Sequence, residues 1–330
     1  MSRKIAVIGD GGWGTALALL LHGNGHAVTA WGPFPEYVKT IAERRRNEKF
    51  LPGIQLPPEI EWTTTRADAV AGADVAVLAV PSRFYADTIG SFAGLIPDSC
   101  LLVNVAKGLD ENTHERMSRV AERVLGRAPV AVLSGPSHAE EVARGIPTAV
   151  VVACDQPEPA RRLQSIFAAA RFRVYTSDDT LGVELGGTLK NVIAIAVGVS
   201  DGLGFGDNTR AALITRGLAE ITRLGSALGA RPTTFSGLSG MGDLIVTCTS
   251  RHSRNRGVGE RIGRGETVDQ VLGSTAQATE GVWNCAAART MARELGIEVP
   301  ITEEVYSIVH EAKPPADAVA SLLERNTRPE

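Results

Sequence analysis

The strongest constraint on this chain's fold is a glycine turn set directly behind a short apolar run. Ile5-Ala6-Val7-Ile8 leads into Gly9-Asp10-Gly11-Gly12-Trp13-Gly14, a G-x-G-x-x-G spacing. A helical pattern then runs from Thr15 to a glycine stop at Gly23. In a chain with 35 glycines the spacing alone is weak. Its position matters more, because a turn that leaves a buried strand and opens a helix is the setting in which such glycines hold a dinucleotide. There Gly9 makes the tight turn, Gly11 lets the backbone approach a pyrophosphate, and Gly14 lets helix and strand pack closely. The N–H groups at the helix start supply the anion site.

The first half repeats this alternation. Ala27–Trp31, Val75–Val80, Leu101–Val105, Val130–Leu133 and Thr148–Val152 read as further strands separated by helical stretches. Fully apolar strands alternating with helices imply a parallel sheet covered on both faces, hence a doubly wound (Rossmann-type) α/β domain. After Arg173-Val174-Tyr175-Thr176 the pattern becomes helical and rich in small residues, with helices over Leu189–Val199, Ala211–Leu228, Val282–Leu295 and Thr302–His310. The expected division is therefore 1–178 for an NAD(P)-binding domain and 179–330 for an all-α domain. The last residues, Asn326 to Glu330, read as a fraying end.

Composition narrows the function classes. At 330 residues, with 44% hydrophobic and 22% charged residues, the chain is globular and long enough for two domains. A net charge of −3 offers no global attraction to nucleic acid or anionic membrane, so any bound anion needs a local cluster. Cys100, Cys154, Cys248 and Cys285 form no metal-ligand spacing, so no metal is expected, and reduced thiols suit a cytoplasmic protein. Four apolar residues before Gly9 are too few for a signal-peptide core, and no apolar run approaches the roughly 18 residues of a membrane span. Stable membrane insertion is not expected, and a homodimer stays open.

At the end of the second strand the sequence reads Ala30-Trp31-Gly32-Pro33, without the acid that would bind a ribose 2′-hydroxyl. Such an acid would also repel a 2′-phosphate. Its absence leaves NAD and NADP both open, with NADPH expected to be accepted.

Four features further along invite a chemical reading, each beside a plainer one. Lys190 is the only charge between Glu184 and Asp201. It either snorkels to water or sits in a cavity where desolvation makes it a useful base. On that view Lys190→Met should leave stability nearly unchanged. Lys107 follows a predicted strand, where doubly wound sheets bind ligands, or is a solvated loop lysine. Asp243, in Ser239-Gly240-Met241-Gly242-Asp243, is a turn cap or part of a site, and Thr247 lies one helical turn on. Arg251-His252-Ser253-Arg254-Asn255-Arg256 is a dense basic cluster, either a solvated face or a phosphate site.

Eight short segments in constant order favour the chemical readings. Gly9–Ala18, Asn104-Val105-Ala106-Lys107-Gly108-Leu109, Leu133-Ser134-Gly135-Pro136-Ser137-His138-Ala139-Glu140-Glu141 and Leu185–Val192 resemble bacterial NAD(P)-dependent glycerol-3-phosphate dehydrogenases. Asp201–Asn208, Gly240–Leu244, Ser253-Arg254-Asn255 and Glu280-Gly281 continue the match. One departure is Gly12, where that family usually has Ser. The resemblance implies a C-terminal domain like that of 6-phosphogluconate dehydrogenase. It also implies interconversion of sn-glycerol 3-phosphate and dihydroxyacetone phosphate for glycerophospholipid synthesis. It assigns Lys190 as proton acceptor, with Asp243 orienting it. Substrate contacts would come from Lys107, Gly135, Ser137, Lys190, Asn191, Asp243, Ser253, Arg254 and Asn255. Cofactor contacts would come from Gly9, Gly11, Gly12, Trp13, Gly14, Pro33, Lys107, Ala139, Arg254 and Glu280. A hydroxyacid dehydrogenase of similar plan would need a carboxylate site in place of the phosphate-suited Ser253–Asn255 cluster. A non-catalytic NADP(H) sensor would have no use for Lys190.

Overall fold

The computed structural model describes residues 2–274 and 279–324, so the expectation for Asn326–Glu330 lies outside the described residues. By contact the chain divides into two compact units, Met1–Asp110 with Glu115–Glu184, and Glu111–His114 with Leu185–Glu330.

The first unit is built on one eight-stranded sheet in the order β3-β2-β1-β4-β5-β6-β7-β8. Its strands are β1 Lys4–Ile8, β2 Ala27–Trp31, β3 Glu61–Thr63, β4 Val75–Leu78, β5 Leu101–Asn104, β6 Val130–Ser134, β7 Thr148–Ala153 and β8 Phe172–Ser177. Alternate residues feed opposite layers. Ile5, Val7, Val75 and Val77 join one core with Ala16, Leu17 and Leu21 of the helix Gly12–Gly23. Ala6, Ile8, Ala76 and Leu78 join another with Tyr85, Ile89 and Phe92. Because both faces are covered, the strands read as unbroken apolar runs.

Two details depart from the sequence reading. The sheet is mixed rather than parallel: β7 runs antiparallel to β6, pairing Val132 with Ala153 and Ser134 with Val151, while every other pair is parallel. Strand direction does not show in an apolar run buried on both faces, so the sequence could not reveal the reversal. The strand β3 was also missed, because three edge residues, Glu-Trp-Thr, carry no apolar pattern.

Among the described residues the second unit contains helices and no strand. The division between the units falls within the helix Thr180–Gly202, after Glu184. This helix also corrects the expectation about apolar runs. Among the described residues it alone is long and apolar enough to cross a membrane, with a mean hydropathy of 1.3, yet 94% of that window is buried inside the protein. Its neighbour Arg254–Gly263 packs backbone to backbone through glycines. A Cβ at Gly198 would lie 2.0 Å from the Arg256 carbonyl oxygen, and one at Gly259 would lie 2.1 Å from that of Ile195. Small residues at these positions therefore set the helix spacing. Farther along, Glu220 is 2% exposed and closes the start of the helix Pro300–His310. It accepts bonds from the Ile301 and Thr302 N–H groups, both at 2.9 Å, and from the Thr302 hydroxyl at 2.5 Å.

Candidate active site

In the first unit the β1 turn forms a cradle. Gly9 has φ +125°, and a Cβ there would meet the Ala79 carbonyl oxygen at 2.4 Å, so only glycine is tolerated. A Cβ on Gly14 would lie 2.3 Å from the Gly9 oxygen, which fixes how closely helix and strand pack. At Gly11, by contrast, nothing lies within 4 Å, and Gly11 starts the helix Gly12–Gly23 with no side-chain cap and no acid in its first turn. An open glycine at an uncapped helix start fits the pyrophosphate of a dinucleotide. Ala139 approaches this cradle, its Cβ 3.8 Å from where a Gly12 Cβ would sit. Trp13 packs partly buried against the adjacent core. Pro33 is exposed just beyond β2 and is followed by Phe34, 61% exposed.

The family's usual serine at position 12 has no room here. A Cβ on Gly12 would come 2.5 Å from the Phe50 carbonyl oxygen. The segment that closes in at this point is held by Asn47, which the sequence reading missed. Fully buried, Asn47 donates through Nδ2 to the Asp10 carbonyl and to Thr15 Oγ1, both at 2.7 Å. Its Oδ1 accepts from the Tyr37 hydroxyl at 2.5 Å and the Phe50 N–H at 3.2 Å. Asn47 lies in Arg44-Arg45-Arg46-Asn47-Glu48-Lys49, a stretch that reads as a solvated charged face.

Beyond the end of β5, Lys107 donates from Nζ to the Gly135 carbonyl at 3.0 Å, and Ser137 Oγ donates to the same oxygen at 2.9 Å. The structure thus brings three of the expected substrate residues together within this unit. The loop leading to Lys107 is fixed by Asn104, whose Nδ2 donates to the Ala106 carbonyl and whose Oδ1 accepts the Ala106 N–H, both at 3.1 Å. Asn104 is held in turn by the Tyr85 hydroxyl and by Glu184. Glu184 is 2% exposed and also accepts from Arg116, the Ser118 N–H and the Ser118 hydroxyl. Burial pushes the Glu184 carboxyl above the usual range, with Arg116 and Ser118 opposing. Its partners lie 66 to 80 positions away in sequence, so no local signal could have found this network.

In the second unit Lys190 is 6% exposed and does not reach out to water. Its Nζ donates to Asp243 Oδ1 and, at 2.6 Å, to Thr247 Oγ1. Asp243 is 1% exposed, and the Thr247 hydroxyl donates to the Asp243 carbonyl at 2.6 Å. The amine thus stands buried with one carboxylate and one hydroxyl as its partners. Beside it, burial pushes the Cys248 thiol up to about 12, which leaves it inert.

The next residue, Asn191, accepts from Asn255 Nδ2 at 3.0 Å, and Asn255 Oδ1 accepts the Gly281 N–H at 3.0 Å. Ser253 caps the helix Arg254–Gly263 by accepting from the Arg256 N–H at 3.3 Å. Arg254 is exposed in the first turn of that helix, which carries no acid. A guanidinium, a hydroxyl and first-turn N–H groups make a suitable phosphate seat. Glu280, expected on the cofactor, opens the helix Glu280–Glu294 in this second unit. No group of three or more His, Cys, Asp or Glu residues suited to a metal occurs among the described residues.

Comparison with known proteins identifies the family. The family model described as NAD-dependent glycerol-3-phosphate dehydrogenase N-terminus matches residues 4–160, and the corresponding C-terminus model matches residues 179–320. A glycerol-3-phosphate dehydrogenase (NAD(P)+) of Moorella thermoacetica is 51% identical over 326 residues, covering 98% of this chain and 97% of its own. One of the same description from Geobacillus kaustophilus is 50% identical, covering 99% and 96%. The crystal structure of glycerol-3-phosphate dehydrogenase from Coxiella burnetii superposes with a TM-score of 0.94 at 39% identity, covering 98% of this chain and 99% of that one. With both halves matched in order and full-length relatives at half identity, the chain belongs to the NAD-dependent glycerol-3-phosphate dehydrogenase family.

Proposed function

We infer that the protein is an NAD(P)-dependent sn-glycerol-3-phosphate dehydrogenase, an oxidoreductase that interconverts sn-glycerol 3-phosphate and dihydroxyacetone phosphate. The observation that carries this reading is Lys190, a buried amine held by Asp243 and Thr247 in the same unit as the Ser253–Asn255 helix start. A bound nicotinamide would supply or take up the hydride at substrate C2. In the oxidative direction Lys190 Nζ takes the C2 hydroxyl proton; in the reductive direction it returns that proton to the developing alkoxide. Asp243 keeps the amine aimed and compensates its charge, and Thr247 fixes a second hydrogen-bond direction.

For the phosphate we assign Ser253, Arg254 and Asn255, with Asn191 holding Asn255 in place. Lys107, Gly135 and Ser137 complete the substrate contacts. Gly9 to Gly14, Pro33, Lys107, Ala139, Arg254 and Glu280 hold the cofactor. Residues 1–178 form the cofactor domain and 179–330 the substrate and catalytic domain. The proposal extends to a cytoplasmic enzyme working in the reductive direction for glycerophospholipid synthesis, and sedimentation decides between monomer and homodimer.

The test is loss of NADH or NADPH absorbance on adding dihydroxyacetone phosphate to the purified protein. Reduction of that substrate is the expected result. Turnover of a 2-keto acid instead would make the chain a hydroxyacid dehydrogenase, and cofactor binding with no turnover would make it a sensor.

A further inference from the structure

The end of β2 offers no acid of its own, yet a carboxylate is there. Asp10 lies in the turn beyond β1, two residues after Ile8. Its side chain reaches across to Gly32, the first residue beyond β2, where an added Cβ would sit 2.5 Å from Asp10 Oδ2 and 2.8 Å from its Cγ. The two strands are neighbours in register, with Ile8 paired to Trp31 and the Gly9 N–H donating to the Trp31 carbonyl at 2.9 Å. The carboxylate therefore occupies the crevice outside the carboxyl ends of β1 and β2, where doubly wound folds hold the adenosine ribose. Asp10 is 7% exposed, and its Oδ2 has no hydrogen-bond partner in the protein.

Such a group is costly for the fold alone. Burial raises the Asp10 carboxyl above its ordinary range, while its own backbone N–H and the Lys49 ammonium favour the charged form. Tyr37 nearby is raised mainly by burial, with the charges of Asp10 and Glu48 adding to it. The glycine at position 32 is what makes the arrangement possible, because any side chain there would displace the carboxylate.

We propose that Asp10 supplies, from the turn after β1, the negative charge that β2 lacks, and that this charge biases the cofactor site toward NADH over NADPH. The proposal rests on the dinucleotide reading of the Gly9–Gly14 cradle and says which dinucleotide that cradle favours. No direct contact is needed, since a buried carboxylate at the carboxyl end of β2 would repel a 2′-phosphate through poorly screening protein.

The experiment is a titration of NADH and NADPH into the wild-type protein, Asp10→Asn and Asp10→Ala, followed by calorimetry or tryptophan fluorescence, with a melting curve for each. The wild type should bind NADH more tightly. Both variants should fold and shift the NADPH-to-NADH affinity ratio toward NADPH by at least about tenfold. A ratio unchanged within about twofold in a folded variant, with both cofactors still bound, overturns the proposal and leaves the dinucleotide reading intact. Unfolding of both variants also overturns it, by making Asp10 a structural group. Failure of the wild type to bind either cofactor overturns the dinucleotide reading itself.

Discussion

Exchange of Lys190 for methionine separates the catalytic role of the amine from its place in the fold. The Lys190 and Asp243 side chains are 7% and 1% exposed, and the ammonium is bonded to the carboxylate and to Thr247. Methionine keeps the apolar stem but leaves Asp243 as a buried carboxylate without its counter-charge. Removing one partner of such a pair costs about 3–5 kcal/mol. For a unit of this size each kcal/mol moves Tm by about 2–4 °C, so a fall of about 6–20 °C should follow. This reverses the expectation of nearly unchanged stability, which considered the apolar neighbours of Lys190 and not the buried charge its removal leaves on Asp243. Turnover should drop by ~10²–10⁴-fold, the usual loss when a general acid–base is removed. Lys190→Arg provides the second arm: its guanidinium can pair with Asp243 and restore much of the lost stability, but it holds its proton and stays inactive. The assay is the initial rate with dihydroxyacetone phosphate beside a cofactor titration and a melting curve. Near-normal kcat in either variant would remove Lys190 from the chemistry, and an unchanged Tm for Lys190→Met would refute the buried-pair argument.

Arg254→Ala should cost about 2–4 kcal/mol of phosphate binding, or about 30- to 1000-fold in kcat/KM for dihydroxyacetone phosphate, while leaving phosphate-free dihydroxyacetone nearly unaffected. Equal losses on both substrates would place the phosphate elsewhere. Glu220 gives a pH signature. Burial raises its carboxyl above the ordinary 4.5, against the bonds from Thr302 and Ile301, so the native state holds a proton the unfolded chain has released. The stability Glu220 contributes is fully present below 4.5 and is lost as pH rises through the raised native value. In chemical denaturation at a series of pH values, the destabilisation caused by Glu220→Gln should shrink across that window; a widening gap would contradict the direction of the shift. Gly12→Ser introduces the residue usual in the family, yet its Cβ would press on the Phe50 carbonyl. Lower Tm and weaker cofactor binding are expected, and an unchanged melting curve would mean the Phe50 segment yields freely.

The legible parts of this protein were those that depend on short sequence distances. The strand-turn-helix at Ile5–Gly23, the apolar strands and the change to helical texture all follow from local pattern, because backbone propensity and side-chain periodicity act over a few residues. The motif residues could be named one by one, since each motif is contiguous. What each side chain touches was a different matter. By local pattern Lys190 stood alone, because Asp243 and Thr247 lie 53 and 57 positions away, and only the family resemblance had joined it to Asp243. Asn47 drew no notice in the sequence, because its amide meets the Asp10 carbonyl 37 positions away only in the fold. The reversal of β7 left no trace, because burial on both faces erases the alternation that might have marked it. The missing acid of β2 makes the contrast sharpest. The sequence was right that Ala30-Trp31-Gly32-Pro33 holds no carboxylate, but strand pairing brings the turn after β1 alongside and sets Asp10 against Gly32. Local pattern determined which elements form, and tertiary packing decided which charges meet, because electrostatics acts through space and not along the chain.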